Sequence, residues 1–442
     1  MEENKKMKQS RFNEYFFAPD GKKLAFNSYS CGLAVVDDEY EKLMSKLDKI
    51  TDNNIPKELQ KCYEAAREGM FIVPDDYDEL LELYTKRNFQ KYSLESLGLT
   101  IAPTLACNFK CIYCYETSKP GIMSSNVAKK IVDFVKFESD QIKNLNISWY
   151  GGEPLLAKEL IYSLSNKFIE ICNEKNIEYN AFIISNGSLL DEDTISELIE
   201  CQVRGIQITI DGPPEIHNSR RVNKANIGTF DLLIENINKL LKTNKIEVVL
   251  RINVDKKNDS EVDKLIAILD ERLVNKDVKI TFGQVTAYTE ACRTIEGDCY
   301  NNGEFAVKLL QYYNILVKYG FDEYNEFPYP EVKLNYCCAE LMNSFVIDPE
   351  GYLYKCWNEV GNISGAVGNI KNDLYDVTCY KNGKWLKRNP FDNSKCINCS
   401  LLPVCMGGCP HNDMILHNNN VCDMIKYNIK DIMLKYYEMS KE

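Results

Sequence analysis

Short apolar runs alternate with helically spaced stretches through the middle of the chain. Runs at 99–106, 145–150, 180–186, 205–211, 246–254 and 278–285 read as buried strands. Between them, 125–138, 157–174, 189–200, 229–243 and 260–272 carry apolar residues at helical spacing, with Val127, Ile131, Val132, Phe134 and Val135 marking the first of these helices. Six strands alternating with helices predict a parallel sheet with right-handed crossovers, an α/β fold of the partial (β/α)6, TIM-like barrel kind. In such folds chemistry collects where strands end and loops begin. Before residue 97 the pattern differs. Stretches 12–17 and 23–36 read as strands around the Pro19-Asp20-Gly21 turn, and 70–74 as a short third strand. Helical spacing covers 38–47, 57–69 and 77–90, so residues 1–95 are expected to form a winged-helix-like α+β module. That module is either a structural extension packed on the core or a peptide-binding element whose strand edge accepts an added strand.

Composition narrows the function classes. A net charge of −12 argues against a broad phosphate-binding surface, so nucleic acid is not an expected partner. No apolar run reaches the length of a membrane span, and the polar start Met-Glu-Glu-Asn-Lys-Lys does not resemble a signal peptide, so a cytoplasmic protein is expected. Eighteen cysteines in a reducing compartment point to metal or cluster ligation rather than disulfides. The three histidines, His217, His411 and His417, are too few to favour a His-based zinc hydrolase or a Ser-His-Asp triad.

Cysteine is therefore the chemical resource, and it is clustered. Cys107, Cys111 and Cys114 follow a C-x₃-C-x₂-C spacing, with the aromatic Tyr113 before the last. Three thiolates this close can hold three corners of a cubane cluster and leave its fourth iron open for chemistry; zinc is the competing reading, although structural zinc favours paired C-x₂-C knuckles. Strand ends carry further unusual residues: Gly151-Gly152-Glu153-Pro154 after the second, Ser185-Asn186-Gly187 after the third, Thr209-Ile210-Asp211-Gly212 after the fourth, and Arg251 and Asn253 on the fifth. Taken together, the cysteine triplet and the Gly-Gly-Glu-Pro motif resemble the radical S-adenosylmethionine (SAM) enzymes over residues 97–290, within an expected domain of 96–300. The resemblance implies that Cys107, Cys111 and Cys114 ligate a catalytic [4Fe–4S] cluster whose open iron takes the methionine end of SAM. It implies that Gly151, Gly152, Glu153 and Pro154 receive the SAM amino group and that Tyr113 lies near the adenine. Ser185, Thr209 and Arg221 match positions that contact ribose or carboxylate. The cluster would give one electron to SAM, and the resulting 5′-deoxyadenosyl radical would take a hydrogen from substrate.

The C-terminal cysteines, in an expected domain of 301–442, extend the resemblance. Cys338, Cys356, Cys396, Cys399, Cys405, Cys409 and Cys422 follow the order of the SPASM extension, which carries two auxiliary [4Fe–4S] clusters; Cys396 and Cys399 alone would read as a zinc ribbon. The family implies that Cys338, Cys356 and Cys409 hold the first auxiliary cluster, and Cys396, Cys399, Cys405 and Cys422 the second. The fourth ligand of the first is either the adjacent Cys337 or an open iron able to bind a substrate thiolate. Cys31, Cys62, Cys172, Cys201, Cys292, Cys299 and Cys379 match no motif and are expected to pack as small apolar residues, with Cys292 and Cys299 the first exceptions to consider. Anaerobic sulfatase-maturating enzymes resemble this core, but they place Asp directly after the second SPASM cysteine, where this chain has Trp357. The resemblance then favours an oxidoreductase that matures a ribosomally made precursor peptide, recognised through its leader and crosslinked within itself by a Cys thioether. Alternatives are a carbon–carbon crosslink, formylglycine formation on a sulfatase, or a non-catalytic iron–sulfur electron-transfer protein. A low-potential flavodoxin or ferredoxin is the implied electron donor.

Overall fold

The computed structural model describes residues 5–51, 53–372, 380–416 and 422–441. Two units each pack their own core: residues 1–92, 327–337 and 388–442 form one, and residues 93–326 and 338–387 the other.

The first unit contains β1 (Met7–Gln9), β2 (Asn13–Phe17), β3 (Lys23–Asn27), β4 (Gly32–Val36) and β5 (Ile72–Pro74). Strands β2, β3 and β4 form an antiparallel sheet in that order, while β1 pairs antiparallel with β5. The stretch expected as a single strand at 23–36 is thus two. Asn27 causes the break: its side-chain oxygen accepts from the backbone N–H of Tyr29 and of Ser30, both at 3.0 Å, and Cys31 sits at φ +57°. A side chain that bonds the backbone two and three residues on turns the chain locally and competes with the ladder. Helices Asp38–Lys46, Gln60–Glu68 and Glu79–Tyr92 follow; the first is capped by Asp37, whose carboxylate accepts from the N–H of Tyr40 at 2.8 Å.

The C-terminal cysteine segment belongs to this same unit. Phe12 and Leu83 share a buried cluster with Leu402 and Met406, and Cys396 packs against it. Helix Ile425–Met439 lays Tyr437 and Leu434 against Ala18, Leu24 and Leu33. Buried Arg87 and Lys91 both donate to the carbonyl of Arg388, at 3.1 and 3.0 Å.

The second unit holds β6 (Ser96–Ile101), β7 (Asn144–Trp149), β8 (Glu178–Ser185), β9 (Val203–Thr209), β10 (Glu247–Val254) and β11 (Val278–Gln284) as parallel neighbours in chain order. Along them buried apolar residues recur at every second position, as Ile206, Ile208 and Ile210 or Leu250, Ile252 and Val254 show, with the polar Gln207, Thr209, Arg251 and Asn253 between them. Strand β12 (Ser344–Ile347) adds in parallel outside β6, and β13 (Tyr352–Tyr354) and β14 (Gly368–Asn369) extend that edge antiparallel. Helix Asn302–Lys318 follows β11, and helix Pro214–Arg220, absent from the sequence pattern, follows β9. The first strand stops at Ile101 rather than 106. Ala102 still donates to the carbonyl of Ile347, but Pro103 has no N–H with which to continue the ladder. Cys107 therefore lies six residues beyond the strand, in a loop, and does not close it. Among the described residues no helix is long and apolar enough to cross a membrane.

Replacing Phe12 by Ala should cost the first unit about 3–5 kcal/mol in urea unfolding. It should also speed alkylation of Cys396 in the native protein. Unchanged labelling at Cys396 would show that the N-terminal residues do not support the cysteine segment.

Candidate active site

The loop after β6 is held from two sides. On one side it meets the loop after β7. Gly152 N–H donates to the carbonyl of Thr104 at 3.2 Å, and Glu153 N–H donates to that of Ala106 at 2.9 Å. A Cβ on Gly151, which lies at φ +123°, would stand 2.3 Å from the Thr104 oxygen, and one on Gly152 2.4 Å from the Ala106 oxygen. Glycine is required here because two backbones touch. Inside the loop the Thr104 hydroxyl donates to the Gly121 carbonyl at 2.6 Å and accepts from Ala106 N–H at 3.0 Å. On the other side, Lys110 and Ile112 donate backbone bonds of 2.8 and 3.0 Å to Val222 and Arg220, and Lys224 donates to Asn108 at 2.8 Å.

Glu153 is fully buried and carries the clamp onward. One carboxylate oxygen accepts from Leu155 N–H at 3.1 Å and Ser185 Oγ at 2.8 Å; the other accepts from Asn186 N–H at 2.7 Å. Burial raises its pKa, against the pull of these donors. Asn186 is buried too, and its side-chain amide donates to Asn108 at 2.7 Å and lies 3.9 Å from Cys107 Sγ, which also accepts from Phe109 N–H at 3.4 Å. Asn186 is thus a site residue that sequence reading noted only as part of a strand end.

The three thiols sit within electrostatic reach of one another. Burial pushes Cys107 up to about 11, with Glu153 and Cys111 adding to the shift, and it raises Cys111 against the opposing charge of Arg221. Cys114, the most exposed of the three, is pushed up to about 12 by the surrounding protein, then by Glu116, Cys111 and Cys107. Among the described residues no three His, Cys, Asp or Glu side chains converge tightly enough to share one metal ion. A cubane instead takes its thiolates at separate irons, and three sulfur donors within eight residues, one of them already receiving N–H groups, fit such a cluster.

Tyr113 turns inward. Its hydroxyl donates to Asp211 and accepts from Arg221 Nη1 at 2.9 Å and Asn253 Nδ2 at 3.3 Å. Asp211 also accepts from Asn253 N–H at 3.1 Å. Arg220 forms a bidentate pair with Asp255 at 3.1 and 2.8 Å, and its guanidinium lies 5.3 Å from the Tyr113 ring centre. The Nε atoms of Arg221 and Arg220 are buried without a hydrogen-bond partner, that of Arg220 lying 3.9 Å from an Asp211 oxygen. A buried guanidinium with a spare N–H fits an incoming carboxylate, the role that resemblance gave Arg221. Thr209 is buried at the end of β9, and Ser185 spends its hydroxyl on Glu153.

A second group of residues carries no sequence signal. The Tyr115 and Tyr150 hydroxyls bond each other, Glu116 Oε1 is buried without a hydrogen-bond partner, and burial pushes the Glu116 carboxyl up to about 7. Trp357 packs on the Tyr150 ring with centres 4.8 Å apart, and Tyr288 meets Tyr115 edge-on at 6.3 Å. Cys292 and Cys299 pack with Tyr113 and Tyr115, so both stand behind the cysteine loop. Cys172 and Cys201 are buried and Cys31 and Cys62 partly so; Cys379 lies outside the described residues.

Of the C-terminal cysteines, Cys338 and Cys356 belong to the second unit, and Cys337, Cys396, Cys399, Cys405, Cys409 and Cys422 to the first. Within the first unit, Cys396 feels Cys399 and Cys422, and Cys405 feels Cys396, so these four are neighbours. Arg388 shapes their loop by donating to the carbonyls of Gly407 and Gly408, at 2.7 and 3.0 Å, and to Asp413 at 2.9 Å.

Glu153→Ala should strip acceptors from three buried donors and cost about 2–5 kcal/mol in denaturant unfolding. Glu153→Gln keeps one carbonyl oxygen and should cost less. Equal losses in the two variants would mean that the carboxylate's hydrogen bonds do not support the clamp.

Comparison with known proteins agrees with this geometry. Residues 101–269 match the model of the radical SAM superfamily. A cysteine-type anaerobic sulfatase-maturating enzyme of Clostridium novyi is 25% identical over 347 residues, 72% of this chain and 89% of that one. Its counterpart in Clostridium perfringens is 26% identical over 71% of this chain and 88% of that one. Among solved structures, anSMEcpe with bound AdoMet has a TM-score of 0.60 at 22% identity, covering 78% of this chain and 98% of that one. Streptococcus suis SuiB bound to the precursor peptide SuiA has a TM-score of 0.53 at 16% identity, covering 91% and 95%. At these identities the structural likeness concerns the fold.

Proposed function

The chain carries a radical SAM domain, and we propose that it is a SPASM-type enzyme that modifies a peptide. The observation that carries this reading is the clamp: a C-x₃-C-x₂-C loop pressed backbone to backbone on a Gly-Gly-Glu-Pro turn at the ends of parallel strands. Cys107, Cys111 and Cys114 would hold the catalytic cluster, and Gly151 to Pro154, Ser185, Thr209, Arg221 and Tyr113 would surround SAM. When bound, these groups supply one-electron cleavage chemistry that ends in removal of a hydrogen atom from an unactivated carbon. The protein's own contribution is orientation and shelter. Glu153 fixes the ends of β7 and β8 against the cysteine loop, Asn186 and Phe109 hold the Cys107 sulfur, and Tyr113 ties the loop to β9 and β10. Tyr150, Trp357, Tyr115 and Glu116 make an aromatic and polar wall beside Cys114 that keeps water from the reacting carbon. We propose Cys396, Cys399, Cys405 and Cys422 as ligands of an auxiliary cluster in the first unit.

For the reaction itself, crosslinking of a precursor peptide is supported by Trp357 standing where sulfatase maturases place Asp and by the N-terminal module, and a thioether among crosslinks by an iron of the first auxiliary cluster left open to a substrate thiolate. Joining a peptide sulfur to carbon removes one hydrogen from each. The formylglycine reading has equal support, from similarity to sulfatase-maturating enzymes over most of the chain.

Reduced, reconstituted enzyme with SAM and a Cys-containing precursor should release 5′-deoxyadenosine and leave a peptide lighter by two hydrogens with its sulfur retained. An aldehyde product lacking the sulfur would establish the sulfatase-type reaction, and an unmodified peptide beside active SAM cleavage would exclude that substrate. Cys107→Ala should abolish 5′-deoxyadenosine release.

The N-terminal sheet supports a leader-binding role, because among the described residues β4 pairs only with β3, and its other edge is open to an added strand. Leader peptide should therefore slow amide exchange at residues 32–36. Protection confined to other segments would rule out strand addition at this edge.

A further inference from the structure

The cysteine set of the first unit has a feature that neither the motif nor the fold requires. Lys426 donates from its ammonium group to Cys399 Sγ at 3.6 Å. It stands in the first turn of helix Ile425–Met439, just after Cys422, and among the described residues it forms no ion pair with a carboxylate. The nearby acids are already engaged: Asp423 accepts from Tyr336 Oη at 2.7 Å and from Ile425 N–H at 3.1 Å, and Asp413 pairs with Arg388 at 2.9 Å. Positive charge is thus directed at sulfur, while the neighbouring carboxylates are held by their own partners.

Resting on the auxiliary-cluster reading above, we propose that Lys426 sets the reduction potential of the cluster held by Cys396, Cys399, Cys405 and Cys422. Reduction of an iron–sulfur cluster adds one negative charge, and hydrogen bonds to its sulfurs together with net charge around it fix its potential. The Lys426 ammonium stabilises the added charge more than the oxidised state, so it raises the potential and makes this site the better electron acceptor. Lys426 acts through Cys399 and is a positioning residue, not a catalytic one. Because the lysine is exposed, solvent screens its charge. Removing it should change the reduced-to-oxidised ratio at a fixed potential by about threefold, which at about 59 mV per decade for one electron is about 28 mV.

The test is a mediator titration of the full-length, anaerobically reconstituted protein, followed by electron paramagnetic resonance, with iron counted per chain. Lys426→Met should move one midpoint to more negative potential at unchanged iron content. Lys426→Arg should restore it, and Lys430→Met, one turn further along the same exposed helix face, should leave it in place. An unmoved midpoint in Lys426→Met with full iron content overturns the proposal while leaving the cluster reading intact. Loss of iron in Lys426→Met overturns it as well, since the lysine would then hold the site together rather than tune it. Cys396→Ala with Cys399→Ala should remove about four irons; no loss of iron in that variant would overturn the auxiliary-cluster reading itself, and the tuning role with it.

Discussion

The contact between two glycines and a neighbouring backbone is the constraint on which the barrel site depends. Gly151 and Gly152 lie where any side chain would collide with the carbonyls of Thr104 and Ala106. This close approach lets Glu153 N–H reach Ala106 and sends the Glu153 carboxylate inward to Ser185 and Asn186. Each such bond to a buried carboxylate contributes about 1.5–3 kcal/mol. The chain of contacts ends on Cys107 through the Asn186 amide. A substitution at Gly151 would therefore act at a distance, by lifting the turn that aims the carboxylate, the amide and finally the sulfur.

The opposite side of the cysteine loop is held electrostatically. Arg220 and Arg221 are buried beside Asp211 and Asp255, two cations against two carboxylates, with the Tyr113 hydroxyl between Asp211 and Arg221. Burying such charges is costly unless they are paired and hydrogen-bonded. Here the geometry meets both conditions, and it does so with Asp211 and Asp255 just past the ends of β9 and β10 and Arg220 and Arg221 at the end of helix Pro214–Arg220. Tyr113 consequently serves as a tie between the loop and two strand ends, whatever its ring does toward a ligand.

The barrel strands were legible in the sequence because buried apolar residues recur at every second position along each and leave short apolar-rich runs between the helical stretches. Their ends were less legible. Pro103 could have signalled that β6 stops early, and Asn27 that the 23–36 stretch turns, since both act on the backbone within a few residues. The wall formed by Tyr115, Glu116, Tyr150 and Trp357 was not legible, because its members come from three distant stretches and no periodicity links them. The same holds for the C-terminal cysteine segment: nothing local to residues 388–442 indicates that Leu402 and Met406 share a core with Phe12 and Leu83. Periodicity tells which face of an element is buried, not which other element covers it.

The two cysteine neighbourhoods differ in a way that bears on their division of labour. Around the barrel thiols the protein supplies aromatic rings, a carboxyl that burial drives toward its neutral form, the buried guanidinium of Arg221, and N–H groups that come from the backbone or a neutral amide. Such surroundings suit a site where water and stray protons would intercept a reactive carbon. Around the other set the donor is an ammonium group at the surface, on the exposed Lys426, and each set holds one exposed cysteine, Cys114 in the barrel and Cys422 here. On the auxiliary-cluster reading proposed above, a site that passes electrons gains from a charge that favours its reduced state. The contrast follows from the side chains beside each sulfur, and the cysteine spacings do not encode it.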